Sequence, residues 1–217
     1  MDSIIGLDIG SHSIKLVEIG RRKDEAVLLA AGSIPTPPKA ILAVNPEDLE
    51  SIATVVKKLW KETGAITKNV NIALPESQVF TRVIEVPQLS DRELTSAIKW
   101  EAEQYIPLPL DKVTVDFTIL REARETGTNK MEVLLVASPK TLVEKYVTIL
   151  ELAELTPVAV ETEIIAAARS LIRSTGSVRT VMIVSLGARR RIWRFSGMVF
   201  FRSPGRLVPE EKRSPGR

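Results

Sequence analysis

The stretch Leu7-Asp8-Ile9-Gly10-Ser11-His12-Ser13-Ile14-Lys15 concentrates residue types that can do chemistry. An acidic residue ends one β-favouring run, a glycine follows, and small hydroxyl residues fill the turn before a second run. Glycine lacks a Cβ and tolerates positive φ, so backbone there can approach a phosphate closely. The N–H groups of such a turn, with the Ser11 and Ser13 hydroxyls, can donate to phosphate oxygens. Asp8 can hold a hydrated Mg²⁺, and Lys15 adds positive charge. This would be a strand–turn–strand phosphate hairpin, unlike the Walker loop, which runs from strand to helix. The competing reading is a plain hairpin with a glycine turn, since Asp-x-Gly is common in turns. His12, at the tip, reads as a solvated turn residue. With no nucleophile–base pair in view, a hydrolytic triad lacks support and no catalytic residue is assigned.

The composition narrows the chemistry further. The chain has 217 residues, 44% hydrophobic and 26% charged, which excludes a disordered or low-complexity polymer. There is no cysteine and only one histidine, so disulfides, thiolate metal sites and multi-histidine metal sites are excluded. No apolar run reaches the roughly 18 residues of a spanning helix. Met1-Asp2-Ser3 lacks the positive start of a secretory signal, so the expected location is cytoplasmic. The net charge of +3 hints at nucleic acid, but residues 189–217 hold nine Lys/Arg against two Glu, leaving 21 basic and 25 acidic side chains in residues 1–188. The basic character belongs to the last segment alone, and no nucleic-acid partner is expected.

The elements that must position the hairpin follow from periodicity. Residues 4–9 and 14–19 are strands joined by Gly10–Ser13, and Ala26 to Ile34 continues the meander until Pro35-Thr36-Pro37-Pro38. Asn45 caps a helix with Pro46 at its first position, and Gly64 stops it. Strands are expected at 70–74, 79–86, 113–120, 130–137, 157–160 and 178–186. Ser90 and Glu93 form a capping box for a helix to Tyr105. Further helices are expected from Ser138-Pro139 to Ala153 and over 163–173. The order implies α/β architecture with an inserted α+β module at 79–160.

A second stretch is more specific than the first. Ala97-Ile98-Lys99-Trp100-Glu101-Ala102-Glu103-Gln104-Tyr105-Ile106-Pro107-Leu108-Pro109-Leu110-Asp111 is followed by Val115-Asp116-Phe117. With Gly6–Ser11, Ile14–Glu18, Val133–Ala137 and Pro157–Glu161, it resembles the PilM family, actin-like cytoplasmic proteins of bacterial type IV pilus assembly. The likeness covers about residues 4–188. It implies an actin-like (ribonuclease H-like) fold of the FtsA type. Subdomain 1A would comprise residues 1–78 and 161–188, and the inserted subdomain 1C residues 79–160. The resemblance further implies ATP and Mg²⁺ bound between the two halves of full-length members. It also implies docking of the N-terminal tail of a PilN-like inner-membrane protein in a groove of 1A and 1C. The chain would then be a peripheral adaptor at the inner membrane, without direct insertion, and self-association stays open. Trp100, Tyr105 and Pro107 are candidates for partner docking. The alternative is structural: the aromatic residues pack the helix on its sheet and Pro107 and Pro109 stop it. Glu101 and Glu103 lie on different sides of the helix and read as a solvated face, not an acid/base pair.

The family pattern breaks near Ile183-Val184-Ser185-Leu186-Gly187-Ala188, where a second phosphate loop should begin. The family commonly has Asp at the place of Ser185, then a Thr-rich turn; here Arg189-Arg190-Arg191 follows. A translated frameshift would account for this. If residues 190–195 are coded CGA-CGG-ATC-TGG-CGA-TTT, reading from the third base gives Thr-Asp-Leu-Ala-Ile, the expected second hairpin. Residues 189–217 are then an irregular basic tail. A genuine basic tail or a short paralogue are the alternatives. Either way the second half of the fold is expected to be absent, and these 217 residues are expected to bind ATP weakly or not at all. Rival functions are a kinase or ATPase of the same superfamily, an FtsA-like division adaptor, and the cytoplasmic domain of a type II secretion protein.

Overall fold

The computed structural model describes residues 2–23, 25–38, 45–172, 180–187, 194–202 and 206–209. Its elements in chain order are β1 (Ser3–Ile9), β2 (Ser13–Arg22), β3 (Glu25–Pro35), α1 (Pro46–Glu62), β4 (Asn69–Leu74), β5 (Phe80–Pro87), α2 (Asp91–Tyr105), β6 (Val113–Arg121), α3 (Ala123–Thr126), β7 (Lys130–Pro139), α4 (Lys140–Leu152), β8 (Thr156–Thr162), α5 (Glu163–Ile172), β9 (Thr180–Gly187), β10 (Arg194–Arg202) and β11 (Arg206–Pro209). They fall into two compact units. One comprises residues 1–75, 141–163 and 186–194, the other 76–140, 164–185 and 195–217.

The first unit is built on a five-stranded sheet in the order β3-β2-β1-β4-β8. β1, β2 and β3 form an antiparallel meander, while β4 and β8 run parallel to β1. Alternation sets the faces: Ile5, Leu7, Ile9, Ile14, Leu16, Val70, Ile72 and Leu74 are all buried. Ile52, Ala53, Val56 and Leu59 of α1 are buried as well, at the spacing of one helical stripe. Asn45 caps α1, its Oδ1 accepting from the Asp48 N–H at 2.8 Å. Close packing of α1 on the sheet requires Gly32 in β3, because a Cβ there would run into the Thr63 and Leu59 side chains.

One buried residue of this sheet is charged. Glu18 of β2 has no solvent exposure. Its carboxylate accepts from Ser3 Oγ at 2.7 Å, the Ile66 N–H at 2.8 Å and the Thr67 N–H at 3.4 Å. A buried carboxylate is tolerated only when its lone pairs are used in this way. The result pins the segment after α1 to the meander. Trp60 reinforces it, donating from Nε1 to the Thr67 carbonyl at 2.9 Å.

The second unit carries the antiparallel sheet β5-β7-β6. Ile84, Val86, Met131, Val133, Leu135 and Ala137 of this sheet share a core with Leu94, Ile98 and Ala102 of α2. Glu93 closes the capping box at the start of α2, accepting from Ser90 N at 3.0 Å and Ser90 Oγ at 2.6 Å. Those two bonds hold its carboxyl below the usual range.

Two expectations are corrected. The insertion does not extend to 160: β8 hydrogen-bonds along β4, so α4 and β8 group with the first unit, whereas residues 164–185, expected in subdomain 1A with the rest of 161–188, group with the second. A short apolar run cannot reveal which sheet it will join. Nor is 189–217 irregular throughout. Residues 194–202 and 206–209 are strands in a third sheet, β11-β10-β9. Met198-Val199-Phe200-Phe201 is β-favouring, and the surrounding arginines had masked that signal. The expected second phosphate turn, at residues 188–193, lies outside the described residues.

Candidate functional site

The β1–β2 hairpin builds the candidate phosphate site. Register places Asp8 directly opposite Lys15, and Lys15 Nζ lies 2.8 Å from Asp8 Oδ2. The two residues expected to hold a metal and a phosphate therefore hold each other. Both are substantially exposed, so the pair adds little to stability. The tip is closed by the Gly10 N–H donating to the Ser13 carbonyl at 3.2 Å. A Cβ on Gly10 would sit 2.9 Å from that carbonyl oxygen. The close approach that demands glycine here is made by the hairpin's own backbone. Ser11 and His12 are exposed at the turn, and Ser13 opens β2.

Thr36, missed in the sequence, fixes the hairpin from outside. Its Oγ1 donates to the Gly10 carbonyl at 2.7 Å and its N–H to the His12 carbonyl at 3.0 Å. Within the Pro-rich break it looked like a chain interruption. Only the pairing of β3 with β2 brings it beside the turn.

The strands β1, β4 and β8 are parallel, so Asp8, Leu74 and Thr162 mark one edge of the sheet. In open α/β sheets that carboxyl edge is where ligands bind. Tyr146 of α4 is buried near it. Burial raises its phenol well above the usual value, with the charges of Glu163 and Asp8 adding to the rise. Tyr146 is therefore a neutral phenol within electrostatic reach of two carboxylates. In the sequence it sits in the apolar stripe Leu142, Tyr146, Ile149, Leu150, which reads as core. Among the described residues no three His, Cys, Asp or Glu side chains converge on a metal position.

The candidate docking residues separate. Trp100 is 67% exposed and packs no core. Tyr105 is 38% exposed, with the Arg82 guanidinium 4.0 Å above its ring centroid. Five positions along a helix correspond to about 140° of rotation, so the two aromatic residues do not share one face of α2. Pro107 is exposed just beyond the C-cap, Ile106, whose N–H still donates to the Ala102 carbonyl at 2.9 Å. The reading in which Trp100 packs α2 onto its sheet is thus replaced by a solvent-facing indole. No helix among the described residues is long and apolar enough to cross a membrane.

Comparison with known proteins gives consistent findings. The family model described as "Type IV pilus assembly protein PilM" matches residues 6–203, running past the change in charge at 189. The chain is similar to a solved structure described as a PilM–PilN type IV pilus biogenesis complex, at 25% identity and a TM-score of 0.77. That match covers 95% of this chain and 61% of the other, so the chain spans about three fifths of its solved relative. It also resembles the cytoplasmic domain of EpsL, an inner-membrane component of the type II secretion system of Vibrio cholerae. There the identity is 14% and the TM-score 0.56, over 97% of this chain and 71% of that one. This second likeness concerns the fold alone, which is that of the actin-like proteins.

Proposed function

Starting from the membership of this chain in the PilM family of type IV pilus assembly proteins, we propose that it is a cytoplasmic adaptor that docks the N-terminal segment of a PilN-like inner-membrane protein. The observation that carries the reading is the likeness to a PilM–PilN complex over 95% of the chain. Trp100, Tyr105 and Pro107 are exposed on the inserted module, and an exposed indole is a common anchor at interfaces.

The hairpin contributes half of a nucleotide site. Gly10 and the Ser11 and Ser13 groups would hold phosphate oxygens, and Lys15 would leave Asp8 to meet them. In full-length members Mg²⁺ bound with ATP would offset the phosphate charge, and Asp8 would hold it through water. A phosphate hairpin by itself offers few contacts against the entropy of fixing a nucleotide, so we propose that these 217 residues bind Mg-ATP weakly or not at all.

Calorimetric titration of the 217-residue chain tests both parts. A synthetic N-terminal peptide of a PilN-like protein should bind saturably, and Trp100→Ala should weaken it by about ten-fold with melting unchanged. Mg-ATP should show no micromolar binding. Failure of the peptide to bind, or equal binding by the Trp100→Ala variant, would overturn the docking assignment.

A further inference from the structure

A two-residue hairpin turn is normally closed by flanking residues that exchange both backbone bonds. Gly10 and Ser13 exchange only one. The Gly10 N–H donates to the Ser13 carbonyl at 3.2 Å, but the return bond, from the Ser13 N–H to the Gly10 carbonyl, is not made among the described residues. Thr36 takes that carbonyl instead, its Oγ1 donating at 2.7 Å. Thr36 also takes a second carbonyl of the turn, its N–H donating to His12 at 3.0 Å. The ladder with β3 leaves the Ser13 N–H unused as well. Ser13 stands opposite Pro35, and the bond from Thr36 to His12 makes theirs a pair that exchanges no backbone bonds. The Ser11 N–H likewise donates to no described residue.

A trans peptide unit carries its C=O and N–H on opposite sides. The Gly10 carbonyl shares its unit with the Ser11 N–H, and the His12 carbonyl shares its unit with the Ser13 N–H. Both carbonyls are drawn toward Thr36, so both N–H groups are turned away from it. N–H groups turned out of one turn in this way form a concavity that suits an oxyanion. Asp8, the carboxylate beside Gly10, is paired with Lys15 at 2.8 Å, so an anion at the tip does not face a bare negative charge. We propose that Thr36 is the positioning residue of the hairpin. By taking the Gly10 and His12 carbonyls it keeps the Ser11 and Ser13 N–H groups open for phosphate oxygens, without touching the anion itself. The flanking prolines serve the same end. Pro37 holds Thr36 in extended backbone, and Pro35 brings no N–H to compete for the turn. The proposal rests on the reading of the hairpin as half of a nucleotide site, and it adds what holds that half ready before a ligand arrives.

NMR of the 217-residue chain tests this, with pyrophosphate as the probe and chloride at matched ionic strength as the control. In wild type the Ser11 and Ser13 amide resonances should shift saturably in the millimolar range of pyrophosphate. Both amides should exchange with solvent faster than that of Gly10, which is bonded. Thr36→Val keeps the N–H bond to His12 and removes the hydroxyl. The released Gly10 carbonyl should then accept from the Ser13 N–H. Ser13 exchange should slow, while pyrophosphate binding weakens at least about ten-fold for want of that donor. A turn that had merely loosened would exchange faster, not slower. Thr36→Ser, which keeps a hydroxyl, should restore both wild-type readouts. If wild type shows no saturable shift, the hairpin is not a phosphate site, and that reading falls together with this one. If wild type binds but Thr36→Val binds equally well, leaves Ser13 exchange unslowed, or matches Thr36→Ser, this proposal alone is overturned. Should Thr36→Val fail to fold, wild type decides by itself: a Ser13 amide as protected as that of Gly10 overturns the proposal.

Discussion

Glu18 gives the sharpest test of how the first unit is held together. Replacing it with alanine removes three accepted hydrogen bonds, at 2.7, 2.8 and 3.4 Å. Hydrogen bonds to a charged acceptor are each worth about 1.5–3 kcal/mol net, and the long one counts least. Two effects reduce the sum. The carboxylate no longer has to be kept out of water, and the exposed segment around Ile66 lets water reach the freed N–H groups. A net loss of about 2–4 kcal/mol is expected, or roughly 5–15 °C in melting temperature for a chain of this size. Glu18→Gln retains an acceptor for Ile66 N, and its amide can donate to Ser3 Oγ, so it should lose only about 1 kcal/mol. Urea unfolding followed by tryptophan fluorescence suits the question, because Trp60 is bonded to the same segment. Ser3→Ala combined with Glu18→Ala should be markedly non-additive, since the two side chains share one bond. If Glu18→Ala unfolds within about 0.5 kcal/mol of wild type, or Glu18→Gln is as damaging, the hydrogen-bond argument is wrong.

Other outcomes follow from the same geometry. Gly32→Ala should cost about 1–3 kcal/mol, since its Cβ must displace the Leu59 or Thr63 side chains; an unchanged urea midpoint would count against that packing. Lys57, 2.6 Å from Glu154, holds that carboxyl below its usual range, first through the hydrogen bond and then through its charge, with Lys68 and Lys61 assisting. The folded value is depressed, so the pair's contribution is complete above the unfolded carboxylate value and disappears as pH falls through the folded one; Lys57→Met should raise the Glu154 midpoint in an NMR titration. Trp60→Phe should cost about 1 kcal/mol by losing the bond to the Thr67 carbonyl, whereas Trp100→Ala should stay within about 0.5 kcal/mol, as compared by thermal melts. We propose that the coding DNA reads Thr-Asp-Leu-Ala-Ile out of frame across residues 190–195; sequencing that finds no such match would remove the frameshift account.

The hairpin, the capped helices and the family were legible in the sequence because each is written in neighbouring residues. Gly10 between Asp8 and Ser13, Asn45 before Pro46, and Ser90 three residues before Glu93 are local signals, and they fold locally. The inserted module's far boundary was not legible, because β8 is a short apolar run whose membership depends on pairing with β4, more than 80 residues away in the chain.

The sequence by itself determined most of the strands and helices before residue 189, and that the chain carries a glycine turn with chemistry beside it. Tertiary structure decided what those residues do to one another. Asp8 and Lys15 became partners through register, and Thr36 a clamp through the return of β3. Glu18 became a buried anchor through the segment beyond α1, and Trp100 turned to solvent because Leu94, Ile98 and Ala102 claimed the core side of its helix. The reason is physical: propensity and capping act within a few residues, whereas burial and hydrogen-bond partnership are settled only when distant segments meet.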